Sequence, residues 1–198
     1  MRSCAMWNPT TLLRTWMSHP FRTALPVPSG RALAVAMTRE ISSSQSPVVE
    51  LGPGTGVFTR QLILRGVPQE RIALIENAVS FAPMLRRQFP AAALLNVDAT
   101  ELRRCDPFNG EKIGTVISSL PLLTMPAWRV FAILYGAFRI LRPEGAFFQF
   151  TYGWRCPVPD CVLDRVGLEA AFTEWVFTNA PPAQVYRIAR RPDATGGA

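Results

Sequence analysis

A glycine-rich turn next to an acid is the segment of this sequence best suited to hold a ligand. Residues 48–56 read VVELGPGTG, a short apolar run that contains Glu50 and leads into three alternating glycines. Glycine tolerates the backbone angles of a tight turn and lets the backbone approach a ligand closely. Because the turn follows a predicted strand, its ligand should lie across the carboxyl ends of a parallel sheet. The spacing differs from the G-x-G-x-x-G of dinucleotide sites, so the glycines alone do not identify the ligand.

Two further acids follow the next strands at intervals that suit a nucleoside. Glu76 ends the second predicted strand, about twenty residues past the glycine turn, where a carboxylate can accept hydrogen bonds from both ribose hydroxyls. Asp98 and Ala99 follow the third strand and can recognise an adenine edge, but Asp98 can equally cap the helix expected from Thr100. Glu50 can hold the turn by accepting from loop N–H groups, a role that is compatible with contact to the bound ligand. The spacing therefore predicts a nucleoside cofactor.

The elements that must position these residues alternate between strand and helix. We predict strands over residues 48–51, 71–75, 93–96, 114–118 and 146–151, and helices over residues 57–65, 80–88 and 127–141. This alternation is typical of a parallel α/β sheet with helices on both faces. A helix over residues 160–172 and an antiparallel hairpin of strands 174–178 and 184–189, joined by residues 179–183, complete the prediction of a seven-stranded, mostly parallel sheet.

The first forty residues form a basic and aromatic segment. One predicted helix begins at Asn8 and Pro9 and ends at Pro20. Its apolar face would consist of Leu12, Leu13, Trp16 and Met17. A second helix, over residues 29–41, has Ser29 as its cap, and a polar stretch then leads into the core. We therefore predict an N-terminal helical unit, residues 1–41, and a core domain, residues 42–198.

The composition is that of a globular enzyme-sized domain with an excess of positive charge. Apolar residues make up 48% of the 198 residues and charged residues 18%, which excludes a disordered chain. The four cysteines lack C-x-x-C spacing, so neither a zinc site nor a disulfide framework is predicted. No apolar stretch approaches the roughly 20 residues that span a bilayer, and no secretory signal is recognisable. The net charge of +7 favours an anionic partner, either nucleic acid or anionic lipid.

Four segments resemble those of the bacterial phospholipid N-methyltransferases. They read VVELGPGTG, SSLPLLTMP, QFTYGWRCPVP and NAPPAQVYR, and the likeness runs over residues 16–190. It implies a class I, Rossmann-like methyltransferase that uses S-adenosylmethionine without a metal and methylates phosphatidylethanolamine and its mono- and dimethylated forms towards phosphatidylcholine. The sequence departs from the family pattern at Cys156, where serine is expected, and at Ala78 and Val79, which replace polar residues.

The resemblance also implies roles for particular residues. Tyr152 and Ser119 are the candidate catalytic residues, and Tyr152 would orient the acceptor amine or take its proton. The candidate cofactor-binding residues are Ser29, Glu50, Gly52, Gly54, Thr55, Gly56, Glu76, Asn77, Asp98, Ala99, Ser118 and Leu120. The candidate substrate-binding residues are Pro121, Leu122, Trp154 and Arg155. Ser29 and Tyr152 have simpler interpretations, as a helix cap and as an ordinary aromatic side chain at a strand end.

The loop after the fourth strand bears on the acceptor. Enzymes that methylate the exocyclic amines of nucleobases commonly carry a polar residue, a proline and an aromatic ring here, and Leu122 stands at the aromatic position. An aliphatic amine needs no stacking platform, so leucine favours a lipid amine. An rRNA adenine N6-methyltransferase, suggested by the positive charge, is the alternative, and a lipid-binding or cofactor-binding module without catalysis is a third possibility.

The N-terminal helix would bring the enzyme to its lipid. The predicted membrane-binding residues are Trp7, Leu12, Leu13, Arg14, Trp16 and Arg22. Aromatic and aliphatic side chains would enter the interface while the arginines meet anionic headgroups. The same helix could instead cover the cofactor as a lid, and His19, at its end, could be a general base or a capping residue. We expect a cytoplasmic monomer, peripherally associated with the inner face of the cell membrane, that binds no nucleic acid.

Overall fold

The computed structural model describes residues 28–179 and 181–192, which form one seven-stranded sheet with helices on both faces. The strands are β1 Val48–Leu51, β2 Ile72–Ile75, β3 Ala93–Leu95, β4 Ile113–Ser118, β5 Leu141–Thr151, β6 Leu168–Val176 and β7 Ala183–Arg190. The helices are α1 Pro28–Met37, α2 Val57–Leu64, α3 Ala82–Gln88, α4 Ala127–Ile140 and α5 Asp160–Val166. Short 3-10 turns connect several of them.

The strand order is β3-β2-β1-β4-β5-β7-β6. The first five strands in the chain run parallel, and β7 lies antiparallel between β5 and β6. This confirms the predicted fold class. β2 and β3 lie on one side of β1, and β4 lies on the other side. The strand order therefore reverses between β1 and β4. Open α/β sheets bind ligands in the crevice at such a reversal.

The central strands are buried on both faces because helices cover both. Val49 and Leu51 of β1 point into a core that also contains residues of α4 and α5, whereas Val48 points into a second core with α1 and α2. Helix α1 supplies Leu33 and Met37 to this second core. The helix is therefore packed onto the sheet as part of the folded core.

The C-terminal hairpin begins earlier than the sequence predicts. The helix predicted over residues 160–172 is wrong beyond Val166, because Gly167 ends α5 in the left-handed conformation, with a φ of 71°. β6 then starts at Leu168 and pairs along its length with β7. The strand predicted over residues 174–178 is therefore only the later part of a longer strand, and the stretch that looked helical lies in the sheet.

Strand β5 also starts earlier than predicted. The sequence analysis begins this strand at Ala146 and assigns Leu141 to the preceding helix, but Leu141 already pairs with Ile113 of β4. A register shift between Ile113 and Thr115 accommodates the extra residues. Most other boundaries differ from the prediction by at most two residues, but α1, predicted to end at residue 41, ends at Met37.

Several of the predicted residues lie outside the described part of the chain. The predicted membrane-binding residues, His19 and Cys4 belong to the stretch that the structure does not describe, and for Ser29 only its place in α1 is given. Within residues 28–179 and 181–192, no helix is long and apolar enough to cross a membrane. In the same ranges, no group of three His, Cys, Asp or Glu side chains is placed to hold a metal ion.

Candidate functional site

The glycine turn between β1 and α2 is shaped by contacts that exclude side chains. Gly52 and Gly56 have φ values of 68° and 74°, in the left-handed region that favours glycine. A Cβ at Gly52 would lie 2.9 Å from Cδ2 of Leu120, and one at Gly56 would lie 2.3 Å from Cε2 of Phe89. The turn therefore needs glycine both for its backbone angles and for its close packing. It packs against α3 and against the loop of residues 119–126 after β4, which we call the acceptor loop.

A cavity of about 140 Å³ opens beside this turn at the carboxyl edge of the sheet. It lies at the strand-order reversal, where the fold predicts a ligand. Six predicted cofactor residues line it: Gly52, Glu76, Asn77, Asp98, Ala99 and Leu120. Helix α4 closes one side with Arg129 and Ile133, and Met125 of the acceptor loop adds another apolar side chain. The structure thus brings together residues from four separate stretches of the chain.

Glu76 is held in place by two backbone groups. The N–H of Gly54 donates to its Oε2 at 3.1 Å, and the N–H of Ala78 donates to its Oε1 at 2.9 Å. The residue is only 7% exposed. A carboxylate oriented in this way at the cavity wall is suited to accept hydrogen bonds from a pair of hydroxyls, as the sequence predicts for a ribose.

Asp98 has the capping role that was one of its two interpretations. Its Oδ1 accepts from the N–H of Thr100 at 2.9 Å and from the Thr100 hydroxyl at 2.7 Å. Its Oδ2 pairs with Arg129 at 2.6 Å. Partial burial raises the pKa of this carboxyl, but the Thr100 and Arg129 hydrogen bonds outweigh it and hold the pKa below its ordinary value. Contact with an adenine edge stays a prediction, and Arg129 was missed because nothing in its spacing marks its reach across the cavity.

Glu50 lies behind the turn, fully buried between β1 and α2. The hydroxyl of Thr59 on α2 donates to its Oε2 at 2.6 Å, so the expected hydrogen bonds from loop N–H groups are not what holds it. Burial raises its pKa to about 7, against the opposing effects of the Thr59 hydrogen bond and the Arg60 charge. Its Oε1 has no hydrogen-bond partner among the described residues. A buried acceptor with an unused oxygen suits the ammonium of an amino-acid group.

Three features of the site match the chemical groups of a nucleoside cofactor that carries an amino-acid group. The oriented Glu76 carboxylate suits ribose hydroxyls, the cavity beside Gly52 admits close backbone approach, and the unused Glu50 oxygen suits an ammonium group. The residues that the structure brings together therefore fit the predicted cofactor.

The acceptor loop is fastened to the glycine turn. The hydroxyl of Ser119 donates to the carbonyls of Gly52 and Leu51, which places this predicted catalytic residue in the wall of the turn. Its catalytic role stays a prediction. Ser118 is buried at the end of β4, and its Oγ accepts from the N–H of Leu120 at 3.3 Å. Both serines thus fix the loop relative to the cofactor cavity.

Leu122 occupies a different place from the one expected of a substrate-binding residue. Its side chain is 2% exposed and packs in the core next to α4, because residues Leu122–Thr124 form a 3-10 turn that directs successive side chains apart. The neighbouring Leu123 is 46% exposed instead, and Pro121 is also exposed. The sequence pattern alone could not show which of the two leucines is exposed.

Gln149 is a site residue that the sequence analysis missed. It lies on β5 with 1% exposure, and its Nε2 donates to the Leu120 carbonyl at 3.0 Å, which supports the acceptor loop from below. Its Oε1 has no partner among the described residues. The available signal was a single amide between the phenylalanines of residues 147–150, since buried amides need partners.

Tyr152 lies at the end of β5, half-buried and edge-on to Phe150 with ring centroids 5.3 Å apart. Burial raises the pKa of its phenol to about 12, and a hydrogen bond with Asn179 only partly opposes this. The phenol is therefore protonated at neutral pH, which favours the predicted role in orienting the amine over the alternative of taking its proton. Trp154 and Arg155 follow it as exposed residues on the same edge of the sheet.

Comparisons with known proteins agree with this geometry. No family model matches the chain. The chain is 30% identical over 144 residues to the ornithine lipid N-methyltransferase of Singulisphaera acidiphila, an alignment that covers 70% of this chain and 75% of the relative. Similar solved structures include the glycopeptide N-methyltransferase MtfA in complex with S-adenosyl-L-methionine, with a TM-score of 0.62, 15% identity and coverage of 82% of this chain and 95% of that one.

A second solved structure supports the same fold. The TehB-like SAM-dependent methyltransferase from Corynebacterium glutamicum has a TM-score of 0.61 and 14% identity, over 93% of this chain and 100% of that one. At such identities the structural likeness establishes the fold, and the lipid N-methyltransferase relative establishes the family. The chain belongs to the class I SAM-dependent methyltransferases.

Proposed function

We propose that the protein transfers methyl groups from S-adenosylmethionine to the amine of phosphatidylethanolamine and its mono- and dimethylated forms, towards phosphatidylcholine, at a membrane surface. The acceptor loop carries the proposal: its exposed residues, Pro121, Leu123, Thr124 and Pro126, include no aromatic ring on which a nucleobase could stack. The lipid acceptor named for the Singulisphaera acidiphila relative supports the same class of substrate.

The cofactor-binding residues in this proposal are those around the cavity. Glu76 would hold the ribose, Asp98, Ala99 and Asn77 the adenine, and the glycine turn with Thr55 the remainder of the nucleoside. Glu50 beneath the turn would attract the ammonium of the amino-acid group. When bound, S-adenosylmethionine supplies an electrophilic methyl group on a sulfonium centre.

The chain's own contribution to the reaction is positioning and desolvation. Holding an amine in line with a methyl group can supply much of the rate without a strong base. The Tyr152 oxygen can accept an N–H of the amine and orient its lone pair, while apolar Leu123 and the nearby backbone exclude water. Desolvation lowers the pKa of the acceptor ammonium, so that the neutral amine forms and water accepts the proton. Trp154 and Tyr152 offer aromatic faces to methylated, cationic intermediates.

Ornithine lipid is a second acceptor that one observation favours, namely the name of the relative. Like phosphatidylethanolamine, it presents an aliphatic amine at a membrane surface, and the described loop does not discriminate between the two headgroups. The departures at Ala78, Val79 and Cys156 lie near the cavity mouth or after Tyr152, where headgroup preference would be decided. Burial raises the pKa of the Cys156 thiol, so this residue would act as an uncharged group.

The membrane contact in this proposal uses the part of the predicted N-terminal unit, residues 1–41, that precedes α1 and contains the predicted membrane-binding residues. Trp16 and Arg14 represent its apolar and basic side chains, and each basic residue near an anionic surface contributes about 1 kcal/mol. Docking would then be reversible and weakened by salt. The protein would act as a monomer on the inner face of the cell membrane.

The decisive experiment supplies labelled S-adenosylmethionine with separate acceptors. Vesicles of phosphatidylethanolamine with anionic lipid, vesicles of ornithine lipid with anionic lipid, and ribosomal RNA are incubated with the full chain, and the labelled product is identified. We expect label in phosphatidylethanolamine. Label in ornithine lipid alone would establish the second acceptor, and label in RNA but in neither lipid would refute lipid methylation.

A further inference from the structure

A group of largely exposed aromatic side chains lies at the C-terminal hairpin, and we call it the hairpin aromatic cluster. It consists of Phe172, Trp175 and Phe177 from β6 and the residue after it, and Trp154 from the segment after β5. Ring centroids of Trp154 and Trp175 are 5.6 Å apart, those of Trp175 and Phe177 5.4 Å, and those of Phe172 and Trp175 6.3 Å. Trp154 is 85% exposed, Phe177 72% and Phe172 49%. A contiguous exposed aromatic surface of this kind marks a contact site.

The cluster lies at the same edge of the sheet as the cofactor cavity. β5 and β6 are both antiparallel to β7 and therefore run in the same direction. Trp154 follows the end of β5 and Phe177 follows the end of β6, so both rings stand at the carboxyl edge. Between them and the acceptor loop lies Gly153, where a Cβ would be 3.3 Å from Cδ2 of Leu123. Leu123 and the cluster thus form one apolar rim.

The charges around this rim suit an anionic surface. Glu174, the acid between Phe172 and Phe177, is paired with Arg39 at 2.8 Å. Arg155, beside Trp154, is exposed. The chain as a whole carries a net charge of +7. Aromatic rings flanked by arginine are typical of surfaces that enter a lipid–water interface, and the positive field attracts anionic lipids to them.

We propose that the hairpin aromatic cluster is a second membrane contact, which inserts into the headgroup region of an anionic bilayer and sets the acceptor loop onto the lipid surface. The inference rests on the proposed lipid acceptor and deepens it. With the cluster immersed, Leu123 and the mouth of the cavity face the bilayer, so a lipid amine reaches the loop without its acyl chains leaving the membrane.

The test measures membrane binding separately from methyl transfer. The full chain is sedimented with sucrose-loaded vesicles of phosphatidylcholine and phosphatidylglycerol, which contain no acceptor amine. The variant is Phe172→Thr with Phe177→Thr, because threonine retains strand propensity and neither phenylalanine belongs to the cofactor or acceptor site. The matched control is Val35→Ala with Leu64→Ala, which removes two exposed apolar side chains from α1 and α2.

We expect the Phe172/Phe177 variant to partition onto these vesicles at least about tenfold more weakly than the wild type, because two aromatic rings lose their apolar contact, and the control to stay within about twofold. Partitioning of the variant within about twofold of the wild type overturns the proposal. That result is distinguishable from a failure of the proposed function, since labelled lipid or labelled RNA decides the latter.

Two other outcomes also overturn the membrane contact. Loss of single-stranded RNA binding with unchanged vesicle binding would identify the rings as a base-stacking platform. A wild-type dimer that becomes monomeric in the variant, again with unchanged vesicle binding, would identify a contact between two copies. Circular dichroism and cofactor binding monitor the fold, and the single variant Phe177→Thr, at a position beyond the end of β6, replaces the double variant if that one unfolds.

Discussion

At the scale of single residues, the two acids nearest the glycine turn differ in what surrounds them. Glu76 accepts from two backbone N–H groups at the cavity wall, whereas Glu50 accepts one hydroxyl and is otherwise enclosed by core residues. A buried carboxylate with an unused oxygen destabilises the protein when it is ionised and becomes useful only when a positive group binds. Glu50 therefore links stability, pH and cofactor binding in one side chain.

Glu50→Gln should stabilise the cofactor-free protein at pH 8 and weaken cofactor binding. The Glu50 pKa of about 7 lies above the unfolded value of 4.5, so the folded state binds the extra proton between these pH values and stability falls as pH rises through them. The neutral amide removes this loss, which amounts to about 3 kcal/mol. Urea unfolding of both proteins at pH 5 and pH 8 measures it. A difference between the two proteins that does not change with pH would contradict the assignment.

Tyr152→Phe should lower the rate of methyl transfer without changing its pH profile. Because the phenol pKa is about 12, the side chain stays protonated between pH 7 and pH 9 and contributes orientation alone. Loss of one hydrogen bond predicts about a tenfold decrease in kcat/KM. The measurement is kcat/KM against pH for wild type and variant with the same lipid vesicles. Disappearance of the low-pH decrease in rate in the variant would show that the phenol takes the proton after all.

The sequence predicted the positions of functional residues better than the directions of their side chains. Gly52, Glu76 and Asp98 follow from strand order, because parallel strands bring their carboxyl ends to one edge. That Leu122 is buried and Leu123 is exposed could not be predicted, since a 3-10 turn of three residues decides which of the two leucines packs in the core. Gln149 was missed because its role depends on a carbonyl 29 positions away in the chain.

At the scale of elements, the junction of β1 and α2 depends on the helix packed against it. Gly56 is the N-cap residue of α2. Because it has no side chain, the ring of Phe89, at the end of α3, packs directly against it. The same edge of the sheet therefore depends on a contact between the cofactor turn and a helix from a different part of the chain.

Gly56→Ala should be much more destabilising than Gly66→Ala. Both glycines have positive φ, 74° and 86°, so both substitutions carry a similar backbone strain of about 1–2 kcal/mol. Only at Gly56 would the new Cβ overlap Phe89, whereas at Gly66 nothing lies within 4 Å. We expect Gly56→Ala to cost at least about 2 kcal/mol more. Urea unfolding midpoints compare the two, and equal losses would show that Phe89 moves aside freely.

Helices and strands were predicted well where the period of the apolar residues was clear. They were predicted poorly where pairing with another strand overrides the local secondary-structure preference. Residues 168–172 contain two alanines and follow a helix, so they were predicted as its continuation, yet their pairing with β7 makes them the first part of β6. Gly167 was the available signal, because glycine after the last helical turn is the usual stop. The early start of β5 depends on a register shift against β4 that no local pattern encodes.

At the scale of the whole molecule, one edge of the sheet gathers the cofactor cavity, the acceptor loop and the hairpin aromatic cluster. The opposite edge carries the ends of α2 and α4, with exposed residues such as Leu64 and Arg139, and Lys112 just before β4 donates to the Arg139 carbonyl at 2.7 Å. A positively charged protein with this asymmetry should approach an anionic surface with the carboxyl edge first. The orientation can be tested by removing charge and apolar surface from one end of the molecule at a time.

Arg14→Ala with Trp16→Ala should weaken flotation with anionic vesicles and reduce the salt dependence of binding, because one interfacial aromatic side chain and one charge are lost from the proposed docking helix. About 1 kcal/mol for the arginine alone predicts roughly a fivefold change at low salt, and the difference should shrink as salt screens the charge. Arg139→Ala with Leu64→Ala removes a charge and an apolar side chain from the opposite edge and should leave flotation unchanged. Equal losses in both variants would mean that binding follows total charge, and that the molecule has no preferred face towards the membrane.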